Sequence, residues 1–189
     1  MLSRTAEYLY WISRYMERAE TTARLLDVGY RMSLFPNPSG YNNEWESVLS
    51  AAGAIEGYKN KYDTIEQKNV EDYLFFDESN PSSVYNCILN ARNNALVVRT
   101  SFTPESWLAI NKTYQEILNL KEKKFIKSDL PDLTEWTIEQ VNLFRGSLRS
   151  LLRNDGYDFL FLGLYRERAE KSARVLDVKY VVLLPTPQD

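Results

Sequence analysis

The chain has 189 residues, a hydrophobic share of 44%, a charged share of 26% and a formal net charge of −3. That is enough material for one domain with a substantial core, and the mixture argues against disorder, fibrous structure and broad nucleic-acid or anionic-membrane binding. There is no histidine and a single cysteine, Cys87, which removes Ser-His-Asp and Cys-His chemistry, Glu-x-x-His di-iron bundles and ordinary zinc sites.

No apolar run approaches the roughly 20 residues of a membrane span, the amino terminus lacks a signal-like apolar segment, and one cysteine forms no intrachain disulfide. A cytoplasmic protein is expected. Thirteen tyrosines and four tryptophans predict an aromatic core with hydroxyl hydrogen bonds near its rim.

Helical signals run from end to end. Ser3 is placed to cap a helix in which Leu9, Ile12, Met16, Ala19, Ala23, Leu26 and Tyr30 recur at steps of three and four, ending before Phe35-Pro36. A second helix is expected from Asn43 to about Tyr58, and a third over roughly Thr64 to Phe76. Asn80-Pro81 and Thr103-Pro104 each read as a cap followed by a first-turn proline, opening helices to about Arg99 and Lys123. Lys124 to Leu133 reads as a linker, and Thr134 as the cap of a helix broken at Asn154-Asp155-Gly156. A last helix is expected from about Asp158 to Leu184. The expectation is an all-α bundle of about seven helices and no sheet, a single domain over residues 1–189.

One segment occurs twice. Tyr15 to Tyr30 and Tyr165 to Tyr180 are identical at eleven of sixteen positions, at a constant offset of 150 residues. Glu17-Arg18-Ala19-Glu20 matches Glu167-Arg168-Ala169-Glu170, Ala23-Arg24 matches Ala173-Arg174, and Leu26-Asp27-Val28 matches Leu176-Asp177-Val178. Such a repeat reflects one ancestral unit or one structural demand. At about 100° per residue, Glu17, Glu20, Arg24 and Asp27 form a charged ladder along the edge of the apolar face, with Glu20 and Asp27 nearest its centre; Glu167, Glu170, Arg174 and Asp177 repeat it. Arg18 and Arg168 point the other way, toward Trp11, Leu25, Val28 and Met32 and toward Phe161, Val175, Val178 and Val182.

Apolar residues on two sides make both motif helices interior, packed on each other about a pseudo-twofold axis. Ala19, Ala23, Ala169 and Ala173 would permit close approach, and Arg24 or Arg174 of one copy would meet acids of the other.

The opening Met1-Leu2-Ser3-Arg4-Thr5-Ala6-Glu7, with Leu9-Tyr10-Trp11, Arg14-Tyr15 and the two Glu-Arg strings, resembles the alpha-E domain family. Ala91-Arg92-Asn93-Asn94-Ala95 with Arg99 is similar to a degenerate middle segment of that family. The resemblance spans the chain. It implies a helical bundle of uncharacterised function, often encoded beside an ATP-grasp peptide-ligase-like protein and a transglutaminase-like peptidase, and hence a role in peptide synthesis, modification or turnover. It assigns no catalytic residue. Members of the family typically continue past the second motif, so the second unit is expected to be unfinished here and self-association to cover the apolar surface left open.

Three functions compete. The first is a non-catalytic binding or scaffolding subunit without cofactor or metal, consistent with the absence of histidine and of any glycine-rich phosphate loop. The second uses Glu20 and Glu170 as acid and base, or as oxygen ligands for Mg²⁺ or Mn²⁺. The third is a ligand or peptide-tail site with Arg18, Arg92 and Arg168 as carboxylate or phosphate clamps. Against the last two stands a structural salt-bridge network. Cys87 reads as buried filler.

Overall fold

In the computed structural model, residues 1–35, 43–123 and 129–183 are described. Within them the regular structure is helical, without a strand: α1 (Ser3–Ser33), α2 (Asn43–Ala52), α3 (Ile55–Lys59), α4 (Gln67–Phe75), α5 (Val84–Val97), α6 (Pro104–Lys123), α7 (Leu130–Ser147) and α8 (Asp155–Leu183), with single 3₁₀ turns after α5 and α7. Eight α-helices stand where seven were expected.

The extra helix comes from Gly53. The expected Asn43–Tyr58 helix breaks there because Gly53 takes φ 71°, with Ala54 N–H donating to Leu49 O and Gly53 N–H to Ser50 O, a Schellman termination. Several boundaries move for equally local reasons. Leu2 rather than Ser3 precedes α1, without a side-chain cap. Gln67, not Thr64, opens α4. Ser83 caps α5 by accepting from Asn86 N–H, while buried Asn80 holds the preceding turn, donating to Tyr73 O and accepting from Ser82 N–H. Thr103 does cap α6, accepting from Ser106 N–H. Pro131 lies in the first turn of α7, so that helix begins before Thr134, whose hydroxyl bonds back to Pro131 O; Lys124 to Ser128 of the expected linker lie outside the described residues. Asn154, read as a breaker, is instead the cap of α8, its Oδ1 accepting from Tyr157 N–H.

Helix α1 is the axis of the molecule, packing on α2, α5, α7 and α8. Its apolar face serves two core clusters. Leu9, Ile12 and Met16 meet Ala91, Ala95 and Val98 near α5, Ile110 of α6 and Val141, Phe144 and Leu148 near α7. Ala19 and Leu26 belong with Trp45, Val48 and Leu49 of α2, Leu74 and Phe75 of α4, Ile88 of α5 and Ile117 of α6. All five of those α1 side chains are at most 1% exposed, so the periodicity that predicts α1 also defines what it buries. Gly29 lies beneath Trp45 and Val48, where an added Cβ would approach Val48 Cγ2 to 2.8 Å.

Tyrosines reach further in than the expected rim: Tyr58 and Tyr73 are buried in the core and form one aromatic cluster with the partly buried Tyr62, and Tyr58 donates its hydroxyl to Thr64 O. Cys87 is fully buried, and that burial pushes its thiol up to about 12, which leaves it inert filler.

Candidate functional site: the crossing of the two motif helices

Helices α1 and α8 run side by side in the same direction, and their backbones come together just before the repeated segments meet. Close approach comes from Gly163, where a Cβ would lie 2.2 Å from the backbone oxygen of Tyr10. The alanines divide unequally: Ala19 and Ala23 are fully buried, whereas Ala169 and Ala173 are exposed and take no part in the approach. A glycine on one helix against main chain on the other sets the helix separation.

The Glu-Arg dipeptides cross reciprocally. Arg18 donates from Nε to Glu167 Oε1 at 2.8 Å and from Nη2 to Oε2 at 3.1 Å, a bidentate pair. Arg168 answers from the other helix, with Nε 2.8 Å from Glu17 Oε2 and Nη2 3.4 Å from Oε1. A twofold contact brings each residue against the partner of its own equivalent, so a Glu-Arg pair that satisfies itself across an axis must be present on both helices. This is a structural demand that both copies of the repeat meet. It also corrects the expected direction of Arg18 and Arg168, which face the partner helix's acid and not a second apolar strip; Val28 and Met32 of that strip are exposed.

Two arginines outside the repeated dipeptide complete the network. Arg14, a turn before the motif, reaches Glu167 Oε2 and Glu170 Oε2, both at 2.6 Å. Arg145 of α7 donates to Glu17 Oε1 at 2.5 Å and to Glu20 Oε2. The sequence does carry a signal for Arg145: it falls between Val141 and Leu148 at helical spacing, on the face α7 turns toward α1. Arg24 and Arg174 do not cross over. Arg24 holds Glu20 of its own helix, with Nη2 2.7 Å from Oε1, and Arg174 stands 3.8 Å from Glu170 with its guanidinium over Gly53.

Burial divides the network. The Glu167 side chain is 0% exposed, Glu17 5% and Glu20 8%, whereas Arg168 is 45% exposed. Burial alone would raise the Glu20 and Glu167 carboxyls; hydrogen bonds from Arg24 and Arg145, and from Arg18 and Arg14, overcome it and hold both below the ordinary carboxylate value. A general acid needs the opposite environment, a carboxyl kept protonated near neutrality.

The remaining candidates lie away from the crossing or in water. Asp27 pairs with Arg31 on the exposed flank of α1, and Asp177 is exposed. Arg92 stacks on Tyr114 and Arg99 on Trp107 as cation–π units of the bundle. Among the described residues no cluster of three or more potential metal ligands occurs.

Past the crossing an open cleft of about 590 Å³ lies between α1 and α8, lined by Glu17, Glu20 and Arg24 on one wall and Arg168, Lys171 and Leu176 on the other. Lys171, which sequence reading passed over, is 7% exposed and donates to Ala52 O at 3.3 Å, at the carboxyl end of α2. Burial holds its ammonium below the usual lysine value.

A family model described as a predicted alpha-helical domain with a conserved ER motif matches residues 1–189. The chain belongs to the Alpha-E family. The chain's two Glu-Arg dipeptides, Glu17-Arg18 and Glu167-Arg168, are the ones that α1 and α8 interlock. Neither the curated proteins nor the solved structures contain a match.

Proposed function

We propose that this chain is a non-catalytic helical binding or scaffolding subunit, and that the Glu-Arg motif builds the scaffold while the outer face of α8 takes the partner. The observation that carries this reading is the unequal burial of equivalent residues. Ile12, Ala19, Ala23 and Leu26 are fully buried under neighbouring helices, yet their equivalents Leu162, Ala169, Ala173 and Leu176 are exposed, Leu162 to 56% and Leu176 to 68%. A largely apolar helix face, in which Arg166 replaces Met16, is covered in one copy and open in the other, which supports reading it as an interaction surface.

The occupant proposed first is a second copy of the chain, packing α8 on α8 through the small side chains Ala169 and Ala173. The enzyme partners implied by Alpha-E membership, an ATP-grasp ligase-like or a transglutaminase-like protein, give the assembly its place in peptide synthesis or modification. A reducing compartment such as the cytoplasm suits the lone buried thiol of Cys87; no described helix is long and apolar enough to cross a membrane.

Against a carboxylate enzyme stands the arginine saturation of Glu17, Glu20 and Glu167. Light scattering across a concentration series tests the proposal: a dimer is expected for the parent chain and a monomer of unchanged helicity for Leu162→Asp combined with Ala169→Glu. A parent chain that stays monomeric at high concentration and fails to retain either partner protein in a binding assay would overturn it.

A further inference from the structure

The charge around the α1–α8 crossing does not balance. Arg14, Arg18, Arg24, Arg145, Arg166, Arg168, Lys171 and Arg174 are eight basic side chains set against four carboxylates, Glu17, Glu20, Glu167 and Glu170. This surplus of positive charge sits inside a chain whose formal net charge is −3. The cleft past the crossing is lined by three of these cations, Arg24, Arg168 and Lys171, and by two of the carboxylates, Glu17 and Glu20, each of which is already held by arginine.

The donors there are not used up. Among the described residues Arg24 and Arg168 bond through Nε and Nη2 only, leaving each Nη1 without a partner on the cleft walls. The Lys171 ammonium, with three donors, has a single hydrogen bond, to Ala52 O. Beside these donors Val175 and Leu176 offer an apolar wall, 41% and 68% exposed. A buried ammonium and two half-used guanidinium groups next to an apolar strip match one kind of molecule: an anion with planar oxygens and a hydrocarbon body attached to it.

We infer that the cleft between α1 and α8 is a binding site for a carboxylate carrying an apolar side chain, held by Arg24, Arg168 and Lys171 and resting on Val175 and Leu176. The carboxyl terminus of a peptide and a free organic acid share this chemistry. Lys171 serves two purposes in this reading, closing the carboxyl end of α2 and presenting its remaining hydrogens to the cleft. The site shares Leu176 with the open face of α8, so the titration is repeated on the Leu162→Asp, Ala169→Glu variant, whose substitutions lie outside the cleft lining and separate this test from the partner proposal.

The experiment is a titration of the whole chain, followed by NMR shifts and calorimetry, with N-acetyl-leucine, N-acetyl-leucinamide, hexanoate and an acetylated tetrapeptide ending in leucine. N-acetyl-leucine is expected to bind with a dissociation constant on the order of 1 mM, and its uncharged amide about tenfold or more weaker. A tetrapeptide tighter than hexanoate identifies a peptide tail as the source, and equal affinity a free acid; both uphold the site.

Arg24→Gln and Lys171→Met are each expected to weaken N-acetyl-leucine about tenfold, with Arg24→Lys keeping most of the affinity. Because Arg24 is largely exposed and Lys171→Met replaces a buried charge by an apolar side chain of similar length, both variants retain the fold, which circular dichroism verifies. Equal binding of acid and amide, binding indifferent to both substitutions, or no binding of any acid at 20-fold the expected constant would overturn the inference.

Discussion

Glu167 is the residue whose neutralisation costs the fold most. Its side chain is fully buried and accepts from Arg14 Nε at 2.6 Å and from Arg18 Nε and Nη2 at 2.8 and 3.1 Å, while Arg14 and Arg18 are themselves only 9% and 16% exposed. Glu167→Gln keeps the shape and removes the charge, so two guanidinium groups lose their shared anion in a place water barely reaches. Removing one partner of a buried ion pair costs about 3–5 kcal/mol, against a total stability of about 5–15 kcal/mol for a domain. At about 2–4 °C per kcal/mol for a chain of this size, the melting temperature is expected to fall by roughly 6–20 °C. The equivalent change Glu17→Gln is expected to cost less, because its partners Arg145 and Arg168 are 26% and 45% exposed and regain water. Thermal melts by circular dichroism read both. A Glu167→Gln melt within 2 °C of the parent, or a larger loss for Glu17→Gln, refutes the reasoning.

Three further outcomes follow from the same geometry. Gly163→Ala, which in an exposed helix would gain about 1 kcal/mol, is expected to lose about 1–3 kcal/mol here because its Cβ meets the Tyr10 carbonyl; denaturant titration gives the sign. Acid sensitivity is set by Glu20, Asp77 and Glu167, all held below their ordinary values by cationic or hydrogen-bonding partners despite burial. Their stabilisation is complete above the unfolded carboxylate values of 3.8–4.5 and is lost as pH falls through the lower folded values, so melting temperature should be flat from pH 7 to about pH 5, then drop, and drop less steeply in Glu167→Gln. Cys87, buried with its thiol raised, is expected to resist alkylation until the chain unfolds, as mass spectrometry in a denaturant series would record.

Much of this architecture is written in the sequence, and the misses share a cause. The repeat at an offset of 150 and the apolar stripe from Leu9 to Tyr30 point to two related helices packed on each other, both long and strongly patterned, but only α1 is interior as expected: Leu162, Tyr165 and Leu176 leave one side of α8 open. What periodicity within one helix does not contain is the identity of the group across the interface. That depends on where and at what angle two helices cross, and the crossing is set by Gly163 against Tyr10, a main-chain contact with no pattern of its own. The consequence was an exchange of roles: Arg24 and Arg174, expected to cross, stay on their own helices, and Arg18 and Arg168 cross instead.

Local signals were similarly incomplete. Gly53 within a helical stretch marks a break only once its positive φ is seen, and Asn154 serves equally as a stop for one helix or a cap for the next. Arg145 was visible as a cation on an apolar face, but nothing in the chain named Glu17 and Glu20 as its acceptors.

A double-mutant cycle between Arg18 and Glu167 bears most directly on the reciprocal crossing, with Arg18→Met, Glu167→Leu and the combination, run beside a control cycle pairing Arg24→Met with Glu167→Leu. A coupling of at least about 2 kcal/mol is predicted for Arg18 with Glu167, the apolar double variant recovering much of the single-variant loss, and about zero for Arg24 with Glu167. Additive losses in the first cycle, or equal coupling in both, would contradict the crossing.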